Sequence, residues 1–333
     1  MTYDSIRRSH PPDGFLQADR AAVKGKAMPE LPEVETIART LAPDVCGRRI
    51  EKITVLEPRS WQGGCRAEDA AGRHPLICAV SRKGKLLLMH FGESIASSGW
   101  NGAWPACYTG DGMQSGMPHL IGSTQDEVTG LAFHLRMTGG IFPQPGGTSA
   151  QKHTRLIIDL DDGTRVFFND MRKFGSARAI SGRELAAWDF WNALAPDPLE
   201  ISAETFCAAM HASGRQIKTL LLDQETIAGV GNIYAAESLF AAGIRPDMRG
   251  CDISTRRLKK LHGILVEILL EAIRECGSTI SDYRNAHGDA GSFQNRFHVY
   301  GRGGLPCHNC GSMLLSARIG GRGTVWCPQC QKA

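Results

Sequence analysis

"CHNCGSMLLSARIGGRGTVWCPQC", residues 307 to 330, sets two Cys-x2-Cys knuckles sixteen residues apart. At that spacing Cys307, Cys310, Cys327 and Cys330 can close four thiolates around one tetrahedral Zn2+. A unit this small has no core of its own and folds on its metal. Four cysteine ligands leave no open position for a water, so the zinc is expected to be structural. Arg322 falls on the hairpin between the knuckles, where it can be held toward a phosphate. Residues 296 to 333 are therefore expected to form a zinc-ribbon-like β-hairpin.

The same segment carries Arg296, Arg302, Arg318, Arg322 and Lys332 and contains no Asp or Glu. The net charge of +4 is modest, but its concentration at one end suits a polyanion, with nucleic acid first. A solubilising surface is the bland alternative. The other seven of the eleven cysteines are scattered. With no apolar leader at the start, the chain reads as reduced and cytoplasmic. Apolar content of 42% and charge of 22% are ordinary for a globular protein. No run approaches the length of a membrane span, and none is expected. A chain of 333 residues has room for two domains with real cores.

Upstream of the hairpin the pattern is helical. "STRRLKKLHGILVEILLEAIRECG" (254 to 277) puts Leu258, Leu261, Leu265, Ile268 and Leu269 on one face, with Ser254 or Thr255 as cap and Gly277 as stop. "IYAAESLFAAGI" is a second helix. Gly229-Val230-Gly231-Asn232 stands just before it, where glycines admit close backbone approach and free N–H groups can face a phosphate. Alone, such a turn is a weak signal; a plain tight turn explains it equally well. "LAPDPLEISAET" (194 to 205) reads as a linker, and residues 206 to 295 as a helical domain.

The first half is β-rich. "RIEKITVLE", "LICAVSRKGKLLLMHF", "LAFHLRMTGG", "TRLIIDL" and "TRVFFND" are short apolar runs, and Asp161-Asp162-Gly163 signals a tight hairpin between the last two. "EVETIARTLAPDV" is a helix expected to end at Pro43. Residues 28 to 193 are thus expected to form a mostly antiparallel β-sandwich with flanking helices, making the whole an α+β multidomain chain. Residues 93 to 128 interrupt the sheet with a Gly-, Ser- and Pro-rich stretch and read as an insertion loop. Residues 1 to 27 are polar and patternless, a disordered or untranslated extension.

The chain resembles the formamidopyrimidine-DNA glycosylase family, bacterial repair enzymes that remove oxidised purines. "MPELPEVET" (28 to 36), "RKGKLLL" (82 to 88), "HLRMTGG" (134 to 140), "DMRKFG" (170 to 175), "AGVGNIYAAESLFAAGIRP" (228 to 246) and "VYGRGGLPC" (299 to 307) match in order. They cover nearly everything from residue 28 onward. The resemblance implies a two-layer β-sandwich, a helix-two-turn-helix domain and a zinc hairpin. It also implies a monomer acting on double-stranded DNA with oxidised bases, in the cytoplasm of a bacterium and at its nucleoid.

It further implies roles. Pro29 is the nucleophile, through a free α-amine whose pKa of about 8 leaves part of it unprotonated at neutral pH. It forms a Schiff base at C1′, and β,δ-elimination then nicks the strand. Glu30 is the general acid/base. Locally, Pro and Glu here mark no more than a helix start. Lys85 holds a phosphate and aids β-elimination, and Arg322 binds phosphate and aids δ-elimination. His153, Arg172, Lys218 and Asn232 match DNA-contacting positions; Arg215 matches one loosely. Met137, Arg172 and Phe174 match the residues that fill the gap left by an everted base. The loop from 281 to 301 corresponds to the one that caps the lesion.

Three features depart from the family. The extension would lock Pro29 into an amide, so the active protein is expected to begin at Pro29. The insertion adjoins the strand after Lys85. Lys173 stands where a second arginine is frequent. Three alternatives stay open: the endonuclease VIII branch acting on oxidised pyrimidines, a non-catalytic binder of damaged DNA if the extension is retained, and a zinc-dependent transcription factor.

Overall fold

The computed structural model describes residues 28–93, 126–280 and 283–332. The extension and most of the 93–128 insertion lie outside them. The chain opens with helix α1 (Leu31–Val45), followed by β1 (Ile50–Val55), the short α2 (Ala67–Ala71), and the hairpin of β2 (Leu76–Lys83) and β3 (Leu86–Gly92). After the insertion come β4 (Gly130–His134), β5 (Gly139–Gln144), β6 (Thr154–Leu160), β7 (Arg165–Asp170) and β8 (Ser176–Ile180). Two four-stranded antiparallel sheets result, in the orders β1-β6-β7-β5 and β2-β3-β4-β8. This is the expected sandwich.

The alternation of the strands explains the layering. Leu87 and Met89 of β3, Leu131 and Phe133 of β4, Ile141 of β5, and Leu156 and Ile158 of β6 point into one core. Val34, Ile37, Ala38 and Leu41 of α1 are buried in the same core, so the helix seals an end of the sandwich. The Asp161–Gly163 turn does join β6 to β7, with Gly163 at φ 87°. Pro43, however, does not end α1. The helix runs through it to Val45, and the Cys46 N–H donates to the Ala42 carbonyl at 2.9 Å. A proline in the last turn removes one helical hydrogen bond, and the burial of Leu41, Ala42 and Val45 around it holds that turn in place.

Two short helices, α3 (Gly182–Ala186) and α4 (Asp189–Ala193), lead into the helical domain of α5 (Ala203–His211), α6 (Ile217–Leu222), α7 (Asn232–Ala242) and α8 (Thr255–Arg274). The apolar face of α8 read from sequence is buried as expected, in a core shared with Phe206, Tyr234 and Leu239. Leu31 of α1 belongs to that helical core, so the start of α1 bridges both halves. Arg82 of β2 reinforces the junction. Its guanidinium pairs with Glu35 of α1 at 2.8 Å and with Asp197 of the segment before α5.

Strands β9 (Leu315–Ile319) and β10 (Arg322–Trp326) form the terminal hairpin. It packs on α7 through Ala236, Phe240, Val299 and Leu314. The buried carboxylate of Glu237 accepts the backbone N–H groups of His298, Val299 and Tyr300 at 2.7–3.0 Å, which anchors the entry to this unit. Among the described residues, no helix is long and apolar enough to cross a membrane.

Candidate active site and nucleic-acid interface

The site is assembled where the start of α1, the β2–β3 turn and the start of α7 converge. Pro29 and Glu30 are buried immediately ahead of α1. Glu30 reaches across to α7, whose first turn presents unpaired N–H groups. Its carboxylate accepts from Gly231 N (2.8 Å), Ile233 N (3.0 Å) and Tyr234 N (3.4 Å). This explains the glycines of the 229–231 turn. Gly229 adopts φ +85°, and a Cβ at position 231 would overlap the Glu30 carboxyl.

Burial pushes the Glu30 pKa up to about 7, against the pull of Lys85 and the α7 amides. Glu33, one turn along α1, adds to that rise. Glu33 is itself buried and raised; it accepts from Glu30 N (2.9 Å), the Tyr234 hydroxyl (2.6 Å) and Ser278 N (2.7 Å). Such a pair supplies a carboxyl group that gains and loses a proton near neutrality.

Lys85 lies in the β2–β3 turn and is buried. Its ammonium donates to the Val230 carbonyl at 2.9 Å. Burial lowers its pKa, while the nearby Glu30 and Glu33 raise it and Arg322 lowers it further. Arg322 opens β10 and is exposed. Lys218 is fully buried, with its pKa lowered to about 8 by burial. It donates to the Thr324 hydroxyl (2.8 Å) on the zinc hairpin, and Asn232 donates to the Gly323 carbonyl (3.1 Å) there. These two side chains hold the hairpin, and with it Arg322, against the start of α7.

The second group of residues lies at the β4–β5 and β7–β8 turns. Arg172 donates to the Met137 sulfur at 2.9 Å and lies 4.7 Å from the centre of the Phe174 ring. Phe174 is 56% exposed and Met171 50%. Asp170 anchors the turn by accepting from Thr138, Arg172 N (3.1 Å) and Gly175 N (2.7 Å). Lys173 sits at φ 59° and reaches Glu57 at 2.5 Å. His153 is beside this turn, its carbonyl accepting from Asp170 N at 2.9 Å. Arg215 instead pairs with Asp223 (2.8 Å) and donates to Thr226 (3.0 Å).

Two residues here were not singled out from sequence. Glu33 is one. The other is His134, which stands inside a quoted motif but reads there as a strand residue. Its Nδ1 accepts from Arg136 N at 3.2 Å, and its ring lies against Phe190. Burial, with Arg136 and Lys85 nearby, pushes its pKa down to about 3. The ring is therefore neutral, and that bond assigns its proton to Nε2.

The four cysteine sulfurs of the hairpin lie within 4.8 Å of one another, with Cys310–Cys327 at 3.5 Å and Cys307–Cys330 at 3.9 Å. Thiolates at about 2.3 Å from a tetrahedral zinc stand about 3.8 Å apart. The donor set fits one structural zinc.

The sequence matches the family models of the formamidopyrimidine-DNA glycosylase N-terminal domain over residues 28–177, of the formamidopyrimidine-DNA glycosylase H2TH domain over 194–284, and of a zinc finger found in FPG and IleRS over 304–333. A formamidopyrimidine-DNA glycosylase of Nitratidesulfovibrio vulgaris is 45% identical, covering 92% of this chain and all of the relative. One from an Acidovorax strain is 36% identical with the same coverage. Among solved structures, the MutM (Fpg) protein of Thermus thermophilus is 33% identical at a TM-score of 0.72, over 91% of this chain and 98% of that one. A Lactococcus lactis FPG mutant in complex with Fapy-dG-containing DNA is 29% identical at 0.74, over 92% of this chain and all of that one. With all three segments matched in order along a shared fold, the chain belongs to the formamidopyrimidine-DNA glycosylase family.

Proposed function

We propose that this chain, a DNA glycosylase of base excision repair with AP lyase activity, removes oxidised purines through a Schiff base on the Pro29 nitrogen. The observation that carries the reading is the Glu30 carboxyl. It is adjacent to Pro29, fixed by the α7 amides, and tuned to titrate near pH 7. In the proposed reaction the everted nucleotide places C1′ at the Pro29 nitrogen. Glu30 provides the proton as the bond to the base breaks. The nitrogen lone pair forms the bond to C1′ as the base departs. The C1′–O4′ bond of the sugar then opens, its oxygen taking up a proton as the amine gives one up, with Glu30 as the acid/base, and leaves an iminium. That cation acidifies the C2′ proton, whose loss expels the 3′ phosphate, and a second elimination expels the 5′ phosphate.

Lys85 and Arg322 are the cations assigned to those phosphates, with Lys85 assisting the first elimination and Arg322 the second. Asn232 and His153 contact the backbone on either side. Met137 and Phe174 fill the gap, and Arg172 addresses the orphaned cytosine. Lys218 acts indirectly, by holding the hairpin. Arg215 contributes a peripheral phosphate contact. The zinc keeps the hairpin folded and takes no part in bond breaking. The enzyme acts as a monomer, on nucleoid DNA in a bacterial cytoplasm.

This chemistry requires Pro29 to be the amino terminus, because an amide nitrogen has its lone pair delocalised into the carbonyl. The family match beginning at residue 28 supports that requirement. Duplexes carrying 8-oxoguanine, a formamidopyrimidine or thymine glycol test the substrate class. Faster excision of the two purine lesions is expected; a preference for thymine glycol would move the chain to the oxidised-pyrimidine branch.

A further inference from the structure

The 229–231 turn is gripped from four sides. The Gly229 carbonyl accepts from Leu31 N at 3.0 Å, and Gly231 N donates to Glu30. The remaining two grips involve Gln224, which follows α6. Its Oε1 accepts from Gly229 N at 2.9 Å. Its Nε2 donates to the Leu222 carbonyl and the Val230 carbonyl, both at 3.0 Å. The Val230 carbonyl is also the acceptor for Lys85. One buried oxygen thus has two donors, one from each half of the protein.

We propose that Gln224 is a positioning residue for Lys85: by sharing the Val230 carbonyl, it frees the ammonium to move to the DNA without stranding a buried acceptor. A carbonyl oxygen has two lone pairs, and here both are used. When Lys85 departs, the amide of Gln224 remains and the oxygen stays paired. Without Gln224, Lys85 would be the partner that satisfies it, and departure would leave a buried acceptor bare, a costly state. Gln224 therefore sets how readily Lys85 is released.

This rests on the reading of Lys85 as the residue that assists the first elimination. The test is single-turnover reaction of protein beginning at Pro29 with an 8-oxoguanine duplex, following base release, borohydride-trapped adduct and strand cleavage separately. Gln224→Met should release base and form adduct within about twofold of the parent. It should slow strand cleavage about tenfold, in line with the penalty for an unpaired buried acceptor, so the trapped adduct persists. A purely structural defect would lower the adduct instead of prolonging it. Gln224→Glu keeps the acceptor for Gly229 N but has no N–H for Val230; it should show the same delay and decides the matter if the methionine variant does not fold. Cleavage at the parental rate, or equal loss in every step, would overturn the proposal. Lys85→Met is run in parallel: if it cleaves normally, the role of Lys85 itself fails, whereas slow cleavage by that variant beside normal cleavage by the Gln224 variants rejects only the part given to Gln224.

Discussion

Two turns carry the residues proposed to meet the DNA, and they are built in opposite ways. The 229–231 turn is buried, its N–H and C=O groups tied to Glu30, Leu31, Lys85 and Gln224. The 171–174 turn has a firm base at Asp170 but exposes Met171 and Phe174 at its tip. Burial in the first shifts ionisation, carrying Glu30 to about 7 and lowering Lys85. Exposure in the second leaves apolar side chains uncovered at its tip, as the proposed gap-filling role requires. In the proposed mechanism the difference separates bond chemistry from base eversion, and each should be breakable without the other.

The largest effect should come from removing the hairpin that is held beside the buried turn. Cys310→Ser should lose zinc, whose binding in structural sites is worth about 10–16 kcal/mol. The hairpin that Lys218 and Asn232 hold should then unfold, and DNA affinity with it, while the β-sandwich keeps its circular-dichroism signature and melting transition. A variant with stoichiometric zinc and normal DNA binding would contradict this. Next comes Glu30→Gln, which should slow base excision by roughly 10²–10⁴-fold, the range for a lost general acid. Cleavage at a preformed abasic site should fall far less. In the parent enzyme the base-excision rate should pass through a maximum between about pH 7, above which the acid form of Glu30 disappears, and about pH 8, below which the Pro29 amine is protonated; a rate that keeps rising above about pH 8 would remove Glu30 from that role.

The smallest effects belong to the exposed turn and to Met137 beside it. Arg172→Ala or Met137→Ala should slow excision from a paired lesion by no more than a few kcal/mol in barrier, the scale of unstacking a base. Action on a preformed abasic site should be nearly unchanged. Equal losses on both substrates would show that the two turns do not divide the work.

Local chemistry and periodicity explain what could be read in advance. The cysteine knuckles carry their meaning in their spacing, and the α8 face carries its meaning in a 3.6-residue period. Gly229 and Gly231 were legible as a turn, but their reasons were not: Gly231 is required by the carboxyl of a residue 201 positions away. Lys218 illustrates the same limit. The family resemblance makes it a DNA-contacting position, and its burial against Thr324, 106 residues on, could not be read from the residues around it. His134 and Glu33 acquire their significance only from neighbours brought in by other strands and helices. Pro43 misled because a proline ends a helix by default, and here tertiary burial of the last turn prevails.

The proposed mechanism turns on the Pro29 nitrogen. Two proteins should be prepared, one beginning at Met1 and kept intact, the other beginning at Pro29, each with its terminus verified by mass spectrometry. Both are incubated with an 8-oxoguanine duplex and treated with borohydride. A covalent protein–DNA adduct should form with the protein beginning at Pro29 and not with the intact long chain. Equal trapping by the long chain, with no cleavage ahead of Pro29, would place the nucleophile on another residue and contradict the mechanism.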